Sequence, residues 1–197
     1  MSATGGAPGM PEPTVRLSIP EEGLRDGDLL LRPPREADID GLLPALAGPE
    51  IRKAGNLPAL GRAEALATFA HMPALAASGR MLPLVATDAG GGEPFGGATL
   101  HHLDAERAIV EIGYWLLPRA RGRGLATRIA RLLAEHAFAL GVLRVEAYVN
   151  VGNDASDRVL EGAGYRPRLR GIGKALGITK SSAQDAVKRA KRHLGWR

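Results

Sequence analysis

The chain has 197 residues, 45% of them hydrophobic, a net charge of +5 and no cysteine. That length suits one domain with a sizeable core rather than two large ones, and the missing cysteine excludes disulfides, cysteine-ligated metals and a cysteine nucleophile. The charge is uneven: residues 166–197 carry ten Lys or Arg against the single acid Asp185, or +9, so the remainder sums to −4 and shows no general attraction to polyanions.

Residues 1–27 are rich in Gly, Pro and charge, and read as a flexible leader. They lack the apolar run of a signal peptide or a membrane span, so no membrane partner is expected and the cytoplasm is the simplest location. Order is expected to begin near Asp28. Leu29-Leu30-Leu31 before Arg32-Pro33-Pro34 reads as a short strand stopped by proline, and Ile39, Leu42, Leu43 and Leu46 fall at helical spacing within Arg35 to Leu46. Arg62 to Ser78 reads as a second helix, built on Ala65, Leu66, Phe69 and Met72, which Pro73 is expected to kink or end.

Three strand-like runs follow, Met81 to Thr87, Phe95 to Leu103 and Ala108 to Leu117, and their short turns predict an antiparallel meander. Leu125, Ile129, Leu132, Leu133 and His136 mark one face of a helix that Gly141 can cap, and Val142 to Val149 is a further strand. A strand, crossover helix and strand at that spacing predict a right-handed unit with two parallel strands. Asn153 to Gly162 reads as a short helix capped by Asn153 or Asp154. Of the five histidines only His101 and His102 adjoin, and strand neighbours point to opposite faces, so no metal site is expected.

The join between Tyr114 and Leu133 says most about function. An apolar strand passes through Pro-Arg-Ala-Arg-Gly-Arg-Gly into an amphipathic helix, whose first turn leaves about four N–H groups without intrahelical acceptors and carries a partial positive charge. Gly122 and Gly124 remove the Cβ atoms that would keep an anion away, while Arg121 and Arg123 add charge. The segment lacks the Gly-Lys-Ser/Thr end of a nucleotide-triphosphate loop, and Thr127 stands where a dinucleotide fingerprint has its third Gly. An Arg-Gly tract of the RNA-binding kind is not normally wedged between an apolar strand and an apolar helix.

Arg121-Gly-Arg-Gly124-Leu-Ala126 resembles the Arg/Gln-x-x-Gly-x-Gly/Ala signature of the GNAT superfamily of acyl-CoA N-acyltransferases. Glu111-Ile-Gly-Tyr-Trp-Leu before it, and Asn153-x-x-Ser156 with Arg158-Val-Leu-Glu-Gly-Ala-Gly-Tyr165 after it, are similar to the Rim-type branch, which acetylates the N-terminal amines of ribosomal proteins. Leu29 to Asp38 is similar to that branch's first strand and helix. The resemblance covers residues 28–167 and implies an α/β fold of GNAT type, a mixed, mostly antiparallel sheet flanked by helices.

The same resemblance implies acetyl-CoA as co-substrate. Its pyrophosphate would lie on the amides of Gly122, Arg123, Gly124, Leu125 and Ala126 beside Arg121, and its pantetheine arm would pair with main-chain groups around Leu116 and Leu117. Asn153 matches an asparagine that contacts the cofactor. Ser156 could protonate the leaving thiolate, with Tyr148 a competing acid. Glu111 shares a strand face with Gly113 and Trp115 and is the candidate general base, with His101 and His102 as alternatives. The acceptor would be a protein N-terminus or a small-molecule amine. An α-amine is favoured: freeing its lone pair at pH 7 costs roughly 1.4 kcal/mol, against about 4.6 for a lysine. The oligomeric state is open, a homodimer included.

After Pro167 the resemblance ends. The family continues with two more strands, whereas residues 168–197 read as a basic helical tail, with Ala183, Ala186, Val187, Ala190 and Leu194 at helical spacing between Thr179 and Gly195. Ile172 to Ala183 faintly resembles the turn and recognition helix of a helix-turn-helix. The alternative reading is therefore a nucleic-acid-binding protein with a degenerate acyltransferase domain, or contact with RNA or the ribosome through residues 171–197. Deleting residues 171–197 is expected to leave cofactor binding intact, and the Val142 strand is expected to lack its usual partner.

Overall fold

The computed structural model describes residues 15–49, 60–169 and 174–179. In chain order the strands are β1 (Leu24–Asp26), β2 (Leu29–Arg32), β3 (Leu82–Asp88), β4 (Pro94–Asp104), β5 (Ile109–Leu116), β6 (Arg144–Val149), β7 (Arg166–Leu169) and β8 (Lys174–Thr179). The α-helices among the described residues are α1 (Ile39–Leu46), α2 (Arg62–Ala77), α3 (Leu125–Ala139) and α4 (Asp154–Gly162). Among the described residues one sheet holds eight strands in the order β1-β2-β3-β4-β5-β6-β8-β7, and only the β5–β6 pair is parallel. The meander and the parallel crossover unit both form as the turns and spacing predict.

Alternation along the strands divides the core in two. Leu29, Leu31, Leu84, Ala86, Leu100 and Ile112 face Leu125, Ile129, Leu133 and Ala137 of α3 and Leu160 of α4 in one continuous buried cluster. Val85 and Leu117 face Ile39, Leu42 and Leu46 of α1 and Ala65 of α2 in the other. Helices thus cover both sheet faces. Each fully buried leucine contributes ~1.5–3 kcal/mol, so α3, apolar on one face over its whole length, anchors the sheet. Helix α2 runs through Pro73 to Ala77 instead of ending there. Only Ala65 of this helix is fully buried, so the carbonyl that Pro73 leaves without a donor can be taken up by water.

Two expectations need correction. Ordered packing starts before Asp28: Val15 and Leu17 are buried, the Leu17 amide donates to the Gly79 carbonyl at 2.8 Å, and β1 pairs antiparallel with β2. Val15, Leu17 and Ile19 alternate with Arg16 and Ser18, a period-two pattern that the surrounding Gly and Pro obscure. Residues 1–14 lie outside the described residues.

The second correction concerns the C-terminus, where the two strands expected to be missing are present. β8 lies between β6 and β7, paired with β6 from Arg144↔Thr179 to Val149↔Lys174 and with β7 from Arg166↔Gly177 to Leu169↔Lys174. Its Lys-Ala-Leu-Gly-Ile-Thr sequence has low strand propensity, and pairing with the otherwise open edge of β6 overrides it. Pro167 is tolerated because β7 is the outermost strand. A strand at 174–179 removes the helix-turn-helix reading of that stretch, and the helix expected over residues 183–194 lies outside the described residues. Deletion of residues 171–197 now has a different expected outcome: it removes β8, opens the sheet between β6 and β7, and abolishes the cooperative thermal transition followed by circular dichroism. Deletion of residues 181–197 keeps all eight strands and is expected to retain it.

Candidate functional site

Strands β5 and β6 begin side by side and then part. Their pairing covers only Ile109↔Arg144, Val110↔Val145 and Glu111↔Glu146, while β5 remains bonded to β4 as far as Leu116 and β6 to β8 as far as Val149. The sheet therefore forks beyond Glu111, leaving main-chain groups in its middle without a strand partner, a ready place for an extended ligand to add as a strand. The Leu117 amide donates to Phe95 on β4 at 2.8 Å and its carbonyl accepts from Ala120 at 2.9 Å. Strand alternation then turns the main chain of Ile112, Tyr114 and Leu116 toward the fork. Of the two residues expected to pair with the pantetheine arm, Leu116 turns its main chain toward the fork, whereas Leu117 has both main-chain groups engaged elsewhere and its side chain buried against α1.

At the open end of the fork the chain turns into α3. Gly122 and Gly124 both have φ of +73°, and a Cβ on either would meet no atom within 4 Å. The first bond of the helix runs from the Arg128 amide to the Gly124 carbonyl at 3.2 Å, so the amides of Leu125, Ala126 and Thr127 have no intrahelical acceptor, and Gly124 has no side chain to cap them. The Leu125 side chain is buried in the core, so it contributes only its amide. Arg121 Nε donates to the Leu116 carbonyl at 3.2 Å, and the Arg123 guanidinium lies 5.3 Å from the Phe95 ring centroid. Arg128 is tied to Asp26 and Asp28, and Arg119 to Glu93 at 2.6 Å. The turn thus offers open space, helix-end amides and two exposed guanidinium groups together.

Asn153 and Ser156 come together at the start of α4, where Asn153 Oδ1 accepts from the Ser156 amide at 3.2 Å as the helix cap. The Tyr114 hydroxyl reaches this corner from β5. It is buried, has Ser156 and Asp157 beside it, and completes no well-aligned hydrogen bond within the protein; burial pushes its pKa up to about 12. Sequence reasoning gave Tyr114 no role of its own within the Glu111-Ile-Gly-Tyr-Trp-Leu run. Tyr148, the competing acid, is 55% exposed on the opposite sheet face, the face of Glu111.

Glu111 sits at the crotch of the fork, between His101 on β4 and Glu146 on β6. The expected separation of His101 and His102 to opposite faces fails. His102 has φ of +48° and the β4–β5 register shifts between His101 and Asp104, a bulge that turns its ring back toward the same carboxylate. His102 Nδ1 lies 2.9 Å and His101 Nε2 3.7 Å from Glu111 Oε2, with the imidazole centroids 4.6 Å apart. Burial, and then the neighbouring His102, hold the His101 pKa below its ordinary value, with Glu111 pulling the other way. Beyond Glu111 the same face carries Gly113 and Trp115. A Cβ at Gly97 would come within 2.5 Å of Trp115 Nε1, so glycine is what lets the indole lie across β4.

Residues 28–166 match the family described as Acetyltransferase (GNAT) domain. A Bacillus subtilis (strain 168) protein named "Putative ribosomal N-acetyltransferase YdaF" is 38% identical over 68 residues, 34% of this chain; the match spans about a third of that relative, 37% of its length. RimJ of Mycobacterium smegmatis, solved with CoA-disulfide, superposes with a TM-score of 0.69 at 23% identity over 85% of this chain and 92% of its own. Spermidine N-acetyltransferase from Vibrio cholerae, solved with CoA and spermine, gives 0.68 at 16% identity over 80% and 98%. An aminoglycoside acetyltransferase, AAC(6')-Ib, solved with coenzyme A and kanamycin, gives 0.65 at 20% identity over 81% and 99%.

Proposed function

Because this chain belongs to the GNAT acetyltransferase domain family, we propose that it moves the acetyl group of acetyl-CoA to an α-amine at a protein N-terminus. The observation that carries the reading is the fork between β5 and β6, which opens at Glu111 and ends at the Gly122 to Ala126 turn. The amides of that turn, with Arg121 and Arg123, would hold the pyrophosphate. The main chain of Ile112, Tyr114 and Leu116 would pair with the pantetheine arm, and Asn153 would stand beside it as the α4 cap. The open space beside Gly122 and Gly124 fits such an occupant.

Glu111 takes the proton of the attacking amine as the C–N bond forms, directly or through a water. As the C–S bond breaks, Ser156 gives its proton to the sulfur and regains one from solvent, with Tyr114 positioning the serine hydroxyl. Glu111 and Ser156 lie on opposite faces of the sheet, so the fork between them is where an acyl carbon can meet both. An α-amine asks little of such a base, since roughly one-tenth of it is already neutral at pH 7. A cytoplasmic setting suits a chain without cysteine. No helix among the described residues is long and apolar enough to cross a membrane.

The test is a mass-spectrometric survey of acceptors with acetyl-CoA: peptides with a free N-terminus, the same peptides α-blocked but carrying lysine, spermidine, and an aminoglycoside. The free N-termini are expected to gain about 42 Da, the mass of acetyl replacing a proton on the nucleophile. Labelling confined to lysines, spermidine or the aminoglycoside would overturn the α-amine assignment. With the best peptide, Glu111→Gln is expected to lower kcat roughly 10²-fold with little change in the KM for acetyl-CoA. A change in KM alone would make Glu111 a binding group instead.

A further inference from the structure

We propose that His101, His102 and Glu111 form a site for a divalent cation of the zinc type, and that its occupancy switches acetyl transfer off by taking the Glu111 carboxylate away from the acceptor amine. The switch rests on the function proposed above; the site itself does not. One ligand atom from each of the three residues can be chosen so that all lie within 4.8 Å of one another. Two imidazoles and one carboxylate are a donor set that first-row divalent metals favour, and three protein ligands leave a position open for water.

A tetrahedral zinc with bonds near 2.0–2.1 Å needs its ligand atoms about 3.3 Å apart. The separations from Glu111 Oε2, 2.9 Å to His102 and 3.7 Å to His101, straddle that value, and all three ligand atoms lie within 4.8 Å of one another, so closing on an ion draws the two imidazoles together. The backbone carries the second observation. A regular strand would send the two rings to opposite faces; the bulge and the φ of +48° at His102 bring them together, at a strain of order 1 kcal/mol. The site is also accessible: His102 is 72% exposed, and the Glu111 side chain 23%.

The test is calorimetric titration of ZnCl2 into the untagged, metal-stripped full chain, beside acetyl-transfer assays with and without Zn2+. One Zn2+ per chain is expected, with His102→Ala and Glu111→Gln each weakening binding at least about tenfold. His71→Ala, at an exposed position on α2, is expected to leave binding unchanged. Saturating Zn2+ should abolish transfer to a free N-terminal peptide, and EDTA should restore it. No binding, or binding unaffected by His102→Ala, overturns the site. Binding with transfer unchanged or raised overturns the switch. A stripped protein that transfers nothing overturns the switch together with the transfer reading, while the titration still decides the site.

Discussion

Gly124→Glu is expected to abolish acetyl-CoA binding, read by calorimetry, while the protein stays folded. The position tolerates the side chain sterically, since a Cβ there meets nothing within 4 Å. Folding carries only the cost of a non-glycine residue at φ +73°, on the order of 1–2 kcal/mol, and the new carboxylate lies at the favourable end of the helix dipole. Binding suffers far more. A carboxylate about 5 Å from a pyrophosphate costs roughly 3 kcal/mol per opposed charge at an effective dielectric near 20, which removes two or more decades of affinity. Gly141→Glu is the control, with the same charge at φ +95° beyond the other end of α3. It shares the backbone strain and should bind acetyl-CoA normally. Equal loss in both variants would trace the effect to folding and remove the turn from the site.

Asp38→Ala is expected to lose ~3–5 kcal/mol of stability in chemical denaturation, a large part of the ~5–15 kcal/mol of a typical domain. Arg32 and Asp38 form a bidentate pair at 2.6 and 2.8 Å with side chains only 5% and 4% exposed, and Asp38 also accepts from the Arg35 amide at 2.7 Å. The pair joins β2 to the start of α1 and, through a 3.2 Å bond from Arg32 to the Gly91 carbonyl, to the β3–β4 turn. Removing the carboxylate alone leaves the buried guanidinium without its charge partner. The double variant Arg32→Met with Asp38→Leu should recover most of the loss, because it removes both buried charges. If the double variant is no more stable than Asp38→Ala, shape rather than charge explains the effect.

The central meander, the crossover unit and the glycine turn were legible because each is encoded locally, by alternation, by turn residues or by helical spacing. Gly122 and Gly124 hold the open, positive-φ backbone that their residue type predicts. What escaped the sequence depends on partners distant in the chain. The Lys174–Thr179 strand is specified by the open edge of β6 rather than by its own residues. Val15 and Leu17 are two apolar residues amid Gly and Pro, and their burial depends on Gly79 and α3. His102 joins Glu111 only because a bulge breaks the period-two rule on which its expected placement rested. Tyr114 was hidden differently: which main-chain groups face the fork is set by the phase of the β4–β5 ladder, visible in the Leu117 to Phe95 bond and in no residue type.

The insertion of β8 between β6 and β7 also sets a timetable for synthesis. β6 ends at Val149 and β8 at Thr179, so some 30 residues must be added before the inner edge of β6 can be occupied. At ~5–20 residues per second that is roughly 2–6 s during which the nascent sheet carries an open inner edge. β7 emerges first but cannot seal the gap, because its own partner has not yet been made. Premature arrest of translation late in this interval would leave a chain holding the whole glycine turn and Asn153, yet with an exposed strand able to recruit a neighbour, a route to aggregates from an otherwise finished segment.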